Sequence, residues 1–161
     1  MDRETKMVEE LNMRNMKYRA KRYDNGEWVY GSAVIFSDDC CFIDKDDELY
    51  IQRPYDFRGN THFIELSAIK CEISTICQFT GLHDKNGKGI YEGDIIHSFD
   101  SNRNEIVHYI EWDNSNARFV AVFKSNSELP MPMKSSISQE WMTDMEKEVI
   151  GDIYDNTELK K

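Results

Sequence analysis

Apolar and polar positions alternate with a period of two in several short runs, the signature of half-buried β-strands. The first run places Tyr18 and Ala20 opposite Lys17, Arg19 and Lys21. Asp24-Asn25-Gly26 then supplies a turn, since Asn and Gly take positive φ at little cost. Residues 27–36 resume the strand, so the two runs read as a hairpin. Residues 42–52 hold two apolar fragments split by Asp44-Lys45-Asp46-Asp47-Glu48, which reads as a solvated turn. Residues 53–60 contain Pro54 and Gly59 and read as a loop. Residues 61–69 read as a strand because Phe63, Ile64 and Ile69 favour a pleated surface.

Residues 75–79 read as a short strand and residues 81–93 as a turn-rich connector holding four of the eight glycines. Three alternating runs follow at 94–99, 105–112 and 118–123. Ile95, His97 and Phe99 share one face of the first. Ile106, His108, Ile110 and Trp112 share a face of the second, and Phe119, Ala121 and Phe123 a face of the third. Asn102-Arg103-Asn104 and Asp113-Asn114-Ser115-Asn116 are hairpin connectors. On this reading His97 and His108 face each other across adjacent strands. Residues 125–136 contain Pro130 and Pro132 and read as a loop or insertion. Residues 138–147 read as a short helix and 148–154 as a strand. Residues 1–15 form a polar extension whose stripe of Met7, Val8 and Leu11 is too weak to hold a helix alone. Short, evenly spaced strands of this kind predict a mainly β fold, a small barrel or roll with added N- and C-terminal strands and short helices.

Composition supports a packed core. Of 161 residues, 40% are hydrophobic and 12% aromatic, which sets the chain apart from disordered polymers despite its charge. The formal charge of −10 argues against general affinity for a phosphate backbone. The charge is uneven: residues 38–48 hold six acids against Lys45, residues 140–158 hold seven against Lys147, and residues 14–22 hold five bases and no acid. Cys40, Cys41, Cys71 and Cys77 read as reduced thiols, because the polar start lacks the apolar core of a secretion signal. No run approaches the ~18 apolar residues of a membrane span.

Candidate chemistry is sparse. Asp84-Lys85-Asn86-Gly87-Lys88-Gly89 invites a calcium-loop reading, but Lys88 and Ile95 fall where oxygen ligands are required; a tight turn at Asn86-Gly87 fits better. Tyr91-Glu92-Gly93-Asp94 reads as a strand entrance whose acids bind backbone N–H groups, with a recognition patch as the alternative. His62, His83, His97 and His108 and the four cysteines lack zinc-ligand spacing, with no Cys-x-x-Cys. No nucleophile elbow or phosphate-binding glycine loop occurs. Lys17, Arg19 and Lys21, flanked by Arg14, Arg22, Tyr18 and Tyr23, form the one basic strand face that could follow a nucleic-acid backbone. The alternative is a solvated strand face.

Residues 78–96, Gln78-Phe79-Thr80-Gly81-Leu82-His83-Asp84 through Asn86-Gly87 to Ile90-Tyr91-Glu92-Gly93-Asp94-Ile95-Ile96, resemble the signature of the YopX family. Lys17-Tyr18-Arg19-Ala20 with Trp28-Val29-Tyr30-Gly31 is similar to that family's opening block. Val149-Ile150-Gly151-Asp152-Ile153-Tyr154-Asp155-Asn156 is similar to its closing block. Asp152, Thr157 and Gly89 depart mildly from the pattern. The resemblance implies a phage or prophage protein with an SH3-like barrel or roll, and no particular activity or cofactor. It implies a domain over 17–159 with its barrel core around 76–124, an extension at 1–16 and a tail at 160–161. Gly81, Leu82, Asp84, Asn86, Gly87, Tyr91, Glu92, Gly93, Asp94, Gly151 and Tyr154 are the motif residues, read as structural. The expected role is a non-enzymatic accessory module in the bacterial cytoplasm that binds a phage or host protein or assembles with itself. Two rivals are an acidic DNA mimic that blocks a host enzyme and a nucleic-acid binder using Lys17, Arg19 and Lys21.

Overall fold

The computed structural model describes residues 17–37, 40–44, 68–123 and 133–156. The predicted extension at 1–16, the loop at 53–60, most of the acidic block at 38–48, His62 and the tail lie outside the described residues. The strands are β1 (Tyr18–Lys21), β2 (Trp28–Ser37), β3 (Cys40–Asp44), β4 (Ile69–Cys71), β5 (Cys77–His83), β6 (Gly89–Tyr91), β7 (Asp94–Phe99), β8 (Glu105–Asp113), β9 (Arg118–Phe123), β10 (Met133–Ser136) and β11 (Glu148–Asp152). A short helix, α1 (Gln139–Thr143), runs into a 3₁₀ turn at Asp144–Glu146.

The strands form two antiparallel sheets, in the orders β4-β3-β2-β1-β5-β6 and β10-β9-β8-β7-β11. Neither closes into a barrel among the described residues, so of the barrel or roll expected from strand spacing the closed barrel is not formed. The stretch 76–124 supplies strands to both sheets. The first sheet is nevertheless coiled. Arg22, just past β1, bridges Cys71 on β4, and Tyr23 N–H and Glu72 N–H donate to Lys70 O and Lys21 O across that seam.

The β1–β2 hairpin follows from its turn. Gly26 adopts φ +71, its N–H donates to Arg22 O at 3.0 Å, and Asn25 Oδ1 accepts the Glu27 N–H. Inside this sheet Ala20, Val29, Cys41, Ile43 and Cys71 form one core. The β7–β8–β9 meander forms, with Ile110 and Ala121 inward in a second core as expected, but β7 contributes Ile96 to it rather than the expected face of Ile95, His97 and Phe99. Ile90 from β6 joins that second core and Leu82 from β5 packs against it. The β5–β6 hairpin thus belongs to the first sheet by hydrogen bonding and to the second by packing.

Three local readings change. The 81–93 connector is a hairpin, because β5 continues through Gly81 (φ +86) to His83 and the ladder resumes at β6 after a register shift. Thr75, expected to open the 75–79 strand, instead ends a 3₁₀ turn over Ile73–Thr75, and the strand starts at Cys77. Met133–Ser136, expected as loop, pairs with β9 as β10. The predicted helix is present but short. Ser138 Oγ accepts the Trp141 N–H at its N-terminus, and buried Met142 anchors it to the second core. Five residues would not hold a helix without that packing.

Candidate functional site

The three motif blocks are far apart in the chain and meet where the first sheet approaches the start of β7. Arg19 stands on β1 opposite Tyr30 of β2 and Cys77 of β5. Its neighbour Ala20 occupies the first core, so alternation sends Arg19 to the other face. There Nη2 lies 2.7 Å from Asp94 Oδ1. The guanidinium carbon lies 4.5 Å from the Trp28 ring centroid and 5.1 Å from that of Tyr91. A planar guanidinium can stack on aromatic faces while it pairs with a carboxylate, which an ammonium does less well.

Arg19 is 3% exposed and Asp94 is fully buried. Burial opposes the charge on Arg19, but Asp94 outweighs it and keeps the guanidinium firmly protonated. Burial pushes Asp94 above the usual carboxylate range, against the pull of Arg19 and the Tyr91 N–H. Asp94 Oδ2 accepts that N–H at 2.8 Å, which closes the Tyr91-Glu92-Gly93-Asp94 turn. Gly93 has φ +79, and a Cβ there would stand 3.3 Å from both Ile153 and Tyr154. Its N–H donates to Ile110 O at 2.8 Å and its carbonyl accepts the Ile153 N–H at 2.9 Å.

The closing block completes the cluster. Tyr154 packs edge-on to Trp28 with centroids 5.7 Å apart. Asp155 pairs with Lys21 and accepts the Trp28 Nε1–H at 3.0 Å. Asp152 Oδ1 accepts the Tyr154 and Asp155 N–H groups and so shapes their turn. Gly-Asp-Ile occurs at both 93–95 and 151–153, and the two copies lie side by side and antiparallel, Asp152 opposite Asp94 and Gly151 opposite Ile95. A Cβ on Gly151 would come within 2.1 Å of Asn156 Oδ1.

Asp84 builds a second joint. Its Oδ1 accepts the Asn86 and Lys88 N–H groups, at 2.8 and 2.9 Å, around Gly87 (φ +79). Its Oδ2 accepts the Val149 N–H at 3.1 Å. Burial raises the Asp84 pKa, but these three donors outweigh it and the net shift is downward. Glu92 is half-buried, and burial raises its carboxyl. Burial also raises the Cys77 thiol and the Tyr154 phenol, which touch each other. These shifts hold both groups protonated near neutrality, the reverse of what an activated nucleophile needs. The arrangement fixes charge and chain geometry.

Lys17, Arg19 and Lys21 do share one face, but not as an exposed basic stripe. Arg19 is in the interior, Lys21 pairs with Asp155, and Lys17 is half-buried. His97 and His108 do not face each other: His97 is opposite Val107 and His108 opposite Ile96, one residue out of step and on opposite faces. His108 instead meets Ser98, with Oγ and Nε2 3.1 Å apart, between Phe123 and Trp141. His83 is exposed, and the Gln139 amide bonds both its N–H and its carbonyl. Among the described residues no three His, Cys, Asp or Glu side chains converge as metal ligands. Sequence reasoning missed the parts played by Trp28, Tyr30, Cys77 and Asp155. Only the odd charged residue in otherwise strand-like motif blocks hinted at them.

Fold and site together define a two-sheet antiparallel β protein pinned by a buried arginine–aspartate pair. The family described as YopX protein matches residues 17–161. The chain belongs to the YopX family. It is similar in fold to the crystal structure of protein EF1440 from Enterococcus faecalis, with a TM-score of 0.50, 20% identity, and coverage of 91% of this chain and 98% of that one. No curated protein matches the sequence. Among the described residues no helix is long and apolar enough to cross a membrane.

Proposed function

We propose that this protein is a non-enzymatic accessory module of a phage or prophage, acting in the bacterial cytoplasm by binding a protein of the phage or its host. One observation carries the reading. The polar groups of the signature point at one another: Asp94 at Arg19, Asp84 at three backbone N–H groups, Thr80 Oγ1 at Ile90 O. They build a frame, and in this reading the meander of β7, β8 and β9 is its SH3-like roll.

A contact surface lies beside the frame. Tyr30, 46% exposed, meets Tyr91 edge-on, and Tyr91 leads through Phe79 to exposed His83. Partly exposed aromatics on a rigid sheet are the side chains that most often anchor a protein partner. A tagged chain should recover a specific protein from phage-infected cells, and Tyr30→Ala with His83→Ala should lower that recovery at least tenfold while circular dichroism stays unchanged. Recovery that is absent, or indifferent to these substitutions, rejects the reading.

The two rivals draw less support. A nucleic-acid role for Lys17, Arg19 and Lys21 has to work around the engagement of Arg19 and Lys21 with acids. A DNA mimic needs its acids outward in a row. Glu140, Asp144 and Glu146 are exposed, but Asp44 and Asp152 are buried.

A further inference from the structure

We propose that Cys41 and Cys71, free thiols under reducing conditions, are a pair that forms a disulfide under oxidising conditions and so locks the coiled first sheet at its seam. The two residues are direct partners across β3 and β4. Directly opposed residues in an antiparallel pair have Cα atoms about 4.5 to 5.5 Å apart, within the roughly 4.4 to 6.8 Å that a disulfide spans. Opposed residues also project to the same face, and both cysteines lie in the same core with Ala20, Val29 and Ile43. Cys41 Sγ already sits 3.7 Å from Cys71 O, while Cys71 Sγ donates to Ile69 O at 3.2 Å. The register and the shared face are what a bridge reached by side-chain rotation requires.

The position gives the bond a consequence. Cys71 is held by β3 on one side and by the Arg22 bridge on the other. β4 has only three residues. A covalent tie to β3 would therefore fix the element on which the coil closes. Cys77 is no competitor, because it shares the Arg19 face and contacts Tyr154.

The chemistry balances with a low-molecular-weight disulfide, such as oxidised glutathione, as oxidant. One cysteine thiolate attacks it, forming a mixed disulfide and releasing one small thiolate. The second cysteine attacks the mixed disulfide and releases the other. The pair loses two electrons and two protons, and the small disulfide is reduced to two thiols. Burial holds the Cys71 thiol up at about 11, and the thiolate is the attacking species. Exchange in the folded protein is therefore slow and follows opening of the β4 edge, whereas folding in an oxidising buffer bypasses that barrier.

The test refolds the full chain in buffer containing reduced and oxidised glutathione and reads intact mass, proteolytic peptides and thermal unfolding. The expected product has lost two hydrogens, yields a Cys41–Cys71 linked peptide, and unfolds about 10 °C higher than the reduced chain. A chain carrying Cys40→Ser and Cys77→Ser should bridge equally well, and one carrying Cys71→Ala should not. A folded product with Cys41 and Cys71 both reduced, or bridged through Cys40 or Cys77, overturns the proposal.

Discussion

His108 is 8% exposed and surrounded by Ser98, Phe123 and Trp141. Burial is the main cause that lowers its pKa, with Lys147 adding repulsion, to about 4. The folded state therefore binds the proton less well than the unfolded chain, whose histidine titrates near about 6.5. Stability from this residue is complete above that value and is lost as pH falls towards 4, to the extent of about 3 kcal/mol. His108→Gln should flatten the loss of urea stability between those limits relative to the unmodified chain; an unchanged slope would place the acid sensitivity elsewhere. Arg19 gives the second expectation at this scale. Arg19→Met leaves Asp94 buried without its cation and should cost about 3–5 kcal/mol, worsening as pH rises and Asp94 tries to ionise. Arg19→Met combined with Asp94→Leu should regain much of that loss in a double-mutant cycle. Neither side chain's role was legible from the local sequence. Arg19 alternates with Tyr18 and Ala20 just as Lys17 and Lys21 do, and only the tertiary fold separates an interior guanidinium from two lysines near the surface.

Elements show where pattern reading succeeds. β7, β8 and β9 are legible as strands because apolar positions recur in short runs and each connector carries Asn, Asp or Ser, whose side chains satisfy turn N–H groups. Asp100 and Asp113 do this, accepting from Asn102 and Asn104 and from Ser115. The inward face of β7 is not legible, because Ile95 and Ile96 are both buried. β10 is illegible because Met-Lys-Ser-Ser carries no alternation and follows two prolines; its strand is imposed by pairing with β9. Gly81 misleads for a different reason: it marks an irregularity within a strand, not its end. Two substitutions test joints between elements. Asp84→Ala removes a carboxylate that binds two N–H groups in its own turn and one on β11, and should cost about 2–4 kcal/mol. Hydrogen exchange at the Lys88 and Val149 amides should speed up together. Gly31→Ala sets a Cβ 1.8 Å from the Asp44 carbonyl oxygen on β3. No side-chain rotation relieves a clash with backbone, so a loss above about 3 kcal/mol is expected by urea unfolding.

For the whole molecule, the described residues couple the two sheets through the Arg19–Asp94 pair, the contacts of Tyr154 and Asp155 with Trp28 and Lys21, the Asp84 joint, and the β5–β6 hairpin that pairs with the first sheet and packs on the second. Thermal unfolding should accordingly give one transition, with tryptophan fluorescence and far-ultraviolet circular dichroism superimposing. Separate midpoints would mean that the sheets unfold independently. The resemblance in three short blocks gave the family, and alternation gave the β class. Which strands share a sheet depends on pairings across dozens of residues, which no local pattern encodes.

The Arg19 cluster also bears on how the protein is made. Translation delivers Arg19 first, Asp94 much later and Tyr154 later still. A nascent chain can form the β1–β2 hairpin early, but its guanidinium then has only water and the hairpin's Trp28 beside it. The frame closes when the last block leaves the ribosome. A message cut short before Tyr154 would yield an open chain for proteases, not a smaller working domain. An insertion that keeps the three blocks in order and in reach of one another would be tolerated far better.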